Sequence, residues 1–233
     1  MPPPIHRPYL GESAEQRVET RRKTLIDTAF AQLSDDGGWR GLSIAQLCRD
    51  AQLNKRYFYE SFSDLESLAG AVVDDLAVQL LGIGSEAAIE AMSAGMDTAT
   101  LARQVLGRVI GWLVEDPRRP KVLFTTMSDH PHTQAHRQET INTLAQGLSA
   151  FSLDYHHAPG PLPIAQIGSA MLIGGSAEII LGWLSGQFDM TFDELLDDVA
   201  ALWVAVGDGA IAATKRRRDG EGSKVERGSK PRR

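Results

Sequence analysis

The sequence has little cysteine, few aromatic residues and no alternating apolar–polar pattern. Its 233 residues include one cysteine, Cys48, and 6% aromatic residues. A single cysteine excludes an internal disulfide framework and suits a reducing, cytoplasmic compartment. Residues 1–16 contain no apolar run, so we expect no signal peptide there. Because no stretch has the two-residue period of a half-buried strand, we expect no β-sheet.

Motifs of hydrolytic enzymes are also missing. The sequence contains no HExxH and no serine or cysteine in a recognisable nucleophile elbow. We therefore predict that the protein is not an enzyme and that it needs no cofactor. Two alternatives rest on His130, His132 and His136: a metal-sensing regulator and a helical zinc hydrolase. Histidines four residues apart can share one face of a helix, as metal ligands require. Our prediction is that the cluster binds no metal.

Charge is distributed unevenly along the chain. The net charge is −6, but residues 71–214 sum to −11 and residues 215–233, with nine basic and three acidic groups, sum to +6. Residues 20–70 carry seven basic and seven acidic groups and are neutral. A neutral segment can still bind phosphate if its cations share one face, because screening limits each charge to about 10 Å.

Apolar residues recur every three or four positions along most of the chain, which predicts an all-α protein. We predict a disordered N-terminal arm at 1–19 and a three-helix DNA-binding domain at 20–66. A larger helical domain follows at 67–214, and a disordered basic tail at 215–233.

The DNA-binding domain is predicted to contain a helix-turn-helix motif at about 43–62. Ser43 begins the first helix of the motif as its N-cap, with Gln46 placed for a capping box. A three-residue joint then leads to a short second helix that Asn54 caps. Helix, short turn and basic second helix is the arrangement of DNA-binding helix-turn-helix proteins.

The second helix of the motif separates its aromatic side chains from its charges. Phe58 and Phe62 are four residues apart and are predicted to be core. The first turn carries Lys55, Arg56 and Tyr57, which in this motif meet base edges in the major groove. Tyr59 projects sideways, where its phenol can donate a hydrogen bond to a phosphate.

The segment from residue 22 to residue 70 resembles the N-terminal domain of the tetracycline-repressor (TetR) family of bacterial regulators. The resemblance rests on four features: LIDTAF, the Gly38–Trp39 pair, the Ser43 cap and QLNKRYFYESFSDLESL. It implies that Ser43 also contacts phosphate. Gln52 departs from the pattern, since the family usually has glycine there. If Gln52 is left-handed, we expect a cost of about 1–2 kcal/mol.

The resemblance also implies a homodimer held by a four-helix bundle of the last two helices from each copy. The residues expected at that interface are Glu178, Trp183, Leu195, Val199, Leu202 and Val206. It further implies that this dimer binds a (pseudo)palindromic operator in double-stranded DNA. A role as a repressor is favoured over a role as an activator.

Members of the family usually release DNA when a small molecule fills a cavity in the C-terminal domain. The candidate cavity wall is Trp112, Phe124, Met127 and Met171, which is largely apolar and predicts a hydrophobic or amphipathic effector.

The run from Ile164 to Leu184 is long enough to raise the question of a membrane span, since about 20 apolar residues can cross a bilayer. The run includes Gln166, Glu178, two serines and four glycines, and no Lys or Arg anchors either end. We therefore predict a buried helix in a bundle or dimer interface and no membrane partner.

Overall fold

The structure is a computed structural model that describes residues 13–33, 41–124, 131–156 and 162–228, with the side chains of 131–137 and 218–228 excepted. Every regular element of at least seven residues in this part of the chain is an α-helix. The helices are α1 (Ala14–Leu33), α2 (Ile44–Asp50), α3 (Lys55–Ser61), α4 (Leu65–Ser93), α5 (Thr98–Glu115), α6 (Arg118–Phe124), α7 (Pro131–Tyr155), α8 (Pro163–Leu184) and α9 (Phe192–Gly228). The all-α prediction is confirmed.

The chain divides into two compact units, an N-terminal unit of Met1–Val73 and a C-terminal unit of Asp74–Arg233. The division falls within α4, slightly later than the predicted boundary at residue 66. A sequence pattern cannot place this boundary, because the apolar stripe of α4 continues without a break through it.

The N-terminal unit is a small bundle of α1, α2, α3 and the start of α4. Its core contains Leu25, Leu33, Leu47, Phe58 and Leu68, all fully buried. The rings of Phe58 and Phe62 lie 6.1 Å apart, so the predicted core role of both is observed. The predicted disordered arm is too long by six residues, because α1 begins at Ala14, where Ser13 caps it by accepting the Gln16 N–H at 3.0 Å.

The joint between α2 and α3 contains a left-handed residue. Gln52 has φ 54°, a conformation that costs a residue with a Cβ about 1–2 kcal/mol and costs glycine almost nothing. The conformation lets the N–H of Leu53 donate to the carbonyl of Cys48 at 2.8 Å, which closes the end of α2.

Replacing Gln52 with glycine should stabilise the N-terminal unit by up to about 1 kcal/mol, because the strain at φ 54° disappears. Urea unfolding followed by circular dichroism measures this change as a higher midpoint. Gln52→Ala is the matched control: it removes the same side chain but keeps the Cβ, so its midpoint should stay near that of the wild type. Equal midpoints for Gln52→Gly and wild type would show that the left-handed residue carries no strain.

The C-terminal unit packs α5 against α9, α7 against α8, and α8 against α9. Thr191 and Glu194 form a capping box at the start of α9, with a hydrogen bond in each direction. The N–H of Glu194 donates to Thr191 Oγ1 at 3.3 Å, and Glu194 Oε2 accepts the Thr191 N–H at 2.8 Å. The hydrogen bonds from the Thr191 backbone and hydroxyl lower the pKa of Glu194.

A lowered pKa makes this cap sensitive to acid. Its stabilisation is complete above the ordinary carboxyl pKa of about 4.3 and is lost as the pH falls through the lower folded value. We expect Glu194→Gln to lower the melting temperature at pH 7 and to have a much smaller effect at pH 3. Glu86→Gln, which removes an exposed carboxylate from α4, controls for net charge. If Glu194→Gln lowers the melting temperature equally at pH 7 and pH 3, this prediction is contradicted.

Helix α9 is longer than the sequence indicates. The basic segment predicted to be disordered from residue 215 is helical as far as Gly228, so that prediction is wrong over residues 215–228. Lys, Arg and Glu are good helix formers, and they continue a helix that the unit already holds in place by packing.

Helix α8 is apolar but mostly not buried within its own chain. Both α4 and α8 are long and apolar enough to cross a membrane by length and composition, which is weak evidence by itself. Only 17% of the most apolar window of α8 is buried, with Ile167 at 68% and Met171 at 57% exposure. Burial of this face within a single chain is therefore not observed, and its burial in a dimer interface stays a prediction.

Candidate DNA-binding and ligand sites

Two N-caps position the helix-turn-helix. Ser43 has an extended backbone, and its hydroxyl accepts the N–H of Gln46 at 3.2 Å. The side chain of Gln46 does not complete a capping box with Ser43. Its amide instead donates to Asp50 at 2.8 Å. Asn54 caps α3 by accepting the N–H of Tyr57 at 3.1 Å. These caps fix where α3 begins, and so they fix which side chains lie in its first turn.

Arg56 is the most prominent cation of the first turn of α3, with 83% of its side chain exposed. Its Nε donates to Glu60 Oε1 at 2.9 Å, one helical turn further on. Arg21 on α1 lies 3.8 Å from the other oxygen of the same carboxylate. Glu60 thereby orients Arg56, while the terminal nitrogens of Arg56 keep the fork geometry that matches a guanine edge.

The other predicted DNA contacts divide between exposed and partly covered positions. Lys55 is exposed, and Tyr59 is 58% exposed, with its ring packed edge-on against Phe58 at 5.4 Å. Tyr57 is half-buried because the guanidinium of Arg21 lies 4.4 Å from its ring centre. Sequence reasoning did not identify Arg21 and Glu60. The four-residue spacing of Arg56 and Glu60 was a usable signal, but the Arg21 contact depends on tertiary packing.

The C-terminal unit contains a cavity of about 480 Å³, lined mostly by apolar side chains of α4, α5, α7, α8 and α9. Gly84, Gly147 and Gly168 allow the helices to approach closely around it. A Cβ at Gly147 would lie 2.9 Å from Leu81 Cδ2. Trp203 lines the cavity, and its Nε1 donates to Ser176 at 3.0 Å.

Only one of the predicted cavity residues lines this cavity. Phe124 is buried and belongs to the lining. Trp112 does not, and its ring is instead covered by the guanidinium of Arg119 at 4.4 Å. Met171 lies on the exposed face of α8, and Met127 is outside the described residues. The spacing of apolar residues indicates which face of a helix is buried, but not whether that face meets packed core or empty space.

The residues predicted at the dimer interface occupy several different environments. Leu195 and Val199 are buried within their own chain, at 2% exposure each, because α9 packs against α5. Val206 lines the cavity. Trp183 is half-buried and donates to the carbonyl of Met190 at 2.8 Å.

Two of the predicted interface residues are exposed. Leu202 on α9 has 56% exposure, and Glu178 on α8 is also exposed. An interface formed by these helices can therefore use only the outer part of the predicted stripe.

The histidine cluster cannot be assigned to a site. His130 lies outside the described residues, as do the side chains of His132 and His136. Elsewhere in the described part of the chain, no group of three or more His, Cys, Asp or Glu residues could hold a metal ion.

No protein-family model matches the chain. A curated protein from Haemophilus influenzae, described as an uncharacterised HTH-type transcriptional regulator, is 37% identical over 70 residues. The match covers 30% of this chain and 34% of that protein. The similarity is therefore local.

Solved structures match nearly the whole length. A protein from Syntrophomonas wolfei, assigned to the TetR-family transcriptional regulators, superposes with a TM-score of 0.65 at 12% identity, covering 81% of this chain and 95% of the other. A TetR-family regulator from Streptomyces coelicolor gives 0.61 at 18% identity, covering 90% and 88%. The regulator FadR from Bacillus subtilis, solved in complex with stearoyl-CoA, gives 0.54 at 14% identity, covering 81% and 96%. The chain has the fold of the TetR-family transcriptional regulators.

Proposed function

We propose that the protein is a DNA-binding transcriptional regulator. The observation that carries this proposal is the first turn of α3, where Asn54 fixes the helix start and Lys55 and Arg56 project from it, exposed. A basic first turn on the second helix of such a motif is the part that enters the major groove. Ser43 and Tyr59 are also exposed and would contact phosphates.

The regulator acts as a homodimer formed through the outer faces of α8 and α9. On α8, Ile167, Met171 and Gly175 are exposed and follow the four-residue spacing of one helix face. On α9, Leu202 is exposed between the small residues Ala201 and Ala205. Small residues around large apolar ones let two helices approach closely, and a second copy would remove this apolar surface from water.

A dimer of helix-turn-helix units binds a (pseudo)palindromic operator, because its two-fold axis coincides with that of the DNA. Repression follows if the operator overlaps a promoter, and this activity places the protein in the cytoplasm. Release comes from a small, largely hydrophobic ligand in the C-terminal cavity. The presence of stearoyl-CoA in the FadR structure supports this class of ligand. Helix α4 contributes to both units, since Leu68 is buried near its start and Leu80 lines the cavity.

Selection from a random duplex library tests the proposal. The wild-type protein should enrich a palindrome whose half-sites are one helical turn, about 34–36 Å, or a multiple of a turn apart. The enriched duplex then serves as the operator probe in gel-shift titrations. If no sequence is enriched over the starting library at 0.1 M salt, the protein is not a sequence-specific DNA-binding protein.

A further inference from the structure

The lining of the cavity in the C-terminal unit is mostly apolar and includes the charged side chains of Asp208 and Lys215 on α9. We propose that this cavity binds a single-chain amphiphile with an anionic head group, and that Lys215 contacts the head. This inference rests on the proposed function, since it names the chemical class of the ligand in the same cavity.

The register of α8 against α9 locates the polar end. The indole of Trp203 bonds to Ser176 at 3.0 Å, and a Cβ at Gly168 would lie 3.6 Å from Val206 Cγ1. Val206 follows Trp203 on α9, whereas its neighbour Gly168 precedes Ser176 on α8. The two helices therefore run antiparallel. In an antiparallel pair, Lys215, which lies twelve residues after Trp203 and lines the cavity, is displaced towards the N-terminal end of α8.

The end of α7 contributes to the same region. Only five residues separate His156 from Leu162, the N-cap of α8, and both line the cavity. Tyr155 also lines the cavity, and its hydroxyl bonds to Thr98 Oγ1 at 3.1 Å. The lining of the cavity therefore offers an ammonium, an imidazole and hydroxyl groups, a set that can bind a carboxylate or a phosphate.

The body of the cavity is long and apolar. Its lining follows α8 from Ile164 to Ile180, about 24 Å at 1.5 Å per residue, whereas a sphere of 480 Å³ would be only about 10 Å across. The lining also includes buried apolar side chains, among them Leu113, Phe124 and Leu144. A long apolar space with one polar end is complementary to an extended alkyl chain with one head group.

One acid also lines the cavity, and its position favours the same orientation. Asp208 precedes Lys215 by seven residues, which places it on the same face of α9 and about 10 Å closer to Trp203. Its exposed carboxylate repels an anion at that position and leaves the Lys215 end as the favourable position for the head.

The test uses the full-length protein without DNA and follows tryptophan fluorescence, with Trp203 as the reporter inside the cavity. Dodecanoate, dodecan-1-ol and dodecylamine share one chain and differ in head charge. We expect dodecanoate to bind about tenfold more tightly than dodecan-1-ol, because a charge-assisted contact with Lys215 is added. Dodecylamine should bind most weakly. Across decanoate, dodecanoate and tetradecanoate, affinity should rise about fourfold per methylene group.

Variants at the polar end separate head recognition from general charge. Lys215→Gln should abolish the preference for dodecanoate over dodecan-1-ol, and Lys215→Glu should reverse it in favour of dodecylamine. Arg216→Gln removes the same charge from the adjacent exposed position outside the lining, so it should leave the preference intact. Trp203→Phe should abolish the ligand-dependent change in fluorescence, which identifies Trp203 as the reporter.

Equal affinities for the three head groups, or an unchanged preference in Lys215→Gln, would overturn the assignment of Lys215. The absence of chain-length dependence would overturn the amphiphile class. Because these measurements contain no DNA, they are independent of the duplex selection. Failure to enrich a duplex would overturn the proposed regulator and leave the ligand class standing.

Discussion

Leu202→Glu should convert the protein from a dimer into a folded monomer. Leu202 is 56% exposed in the single chain, so a carboxylate there remains solvated in the monomer and the fold should survive. In the proposed dimer, the same carboxylate would be buried close to the two-fold axis and its own copy, which is strongly unfavourable. Light scattering should report half the mass of the wild type, with an unchanged helical circular dichroism spectrum.

Operator affinity should fall with the dimer, by about 10²-fold or more, because the second half-site loses its tethered partner. Ile89→Glu introduces the same charge at a similarly exposed apolar position on α4 and should remain dimeric. Leu195→Glu should unfold the C-terminal unit instead, since Leu195 is 2% exposed within its own chain. A fully dimeric Leu202→Glu would place the interface elsewhere. If wild type is monomeric and binds to phospholipid vesicles, the exposed face of α8 is a membrane surface instead.

Arg56→Ala should weaken binding to the selected operator by about 1–3 kcal/mol, which is 5- to 150-fold, and should relax the sequence preference at one position of each half-site. The physical reason is the loss of a two-pronged contact with a guanine edge in both copies. Gel-shift titrations against the operator and its single-base variants measure both effects. Arg108→Ala removes the same charge from the C-terminal unit and should change neither affinity nor preference.

Arg56→Ala is expected to weaken binding, whereas Glu60→Gln should strengthen binding to non-specific DNA. The carboxylate that orients Arg56 also repels phosphate, so its neutralisation should strengthen binding to random duplex and weaken discrimination. Unchanged discrimination in this variant would show that Arg56 does not depend on Glu60. If Arg56→Ala binds the operator as tightly as wild type, α3 is not the helix that contacts the bases.

Local sequence determined the helix-turn-helix in detail. Ser43, Asn54 and Phe58 were assigned correctly because an N-cap acts within three residues and a helix face repeats every three or four. The left-handed conformation of Gln52 was suggested by the resemblance, because the family usually has glycine at that position. These features depend on interactions between near neighbours in the chain, which the sequence displays directly.

Only the tertiary structure determines what each apolar helix face in the C-terminal unit contacts. Periodicity gave Leu195, Leu202 and Val206 one stripe on α9, yet they meet α5, solvent and the cavity respectively. A helix of this length crosses several neighbours, so its environment changes along its axis while its sequence period does not. The same reason explains why Lys215 could not be recognised as a cavity residue: its role depends on the register of α9 against α8 and on the end of α7.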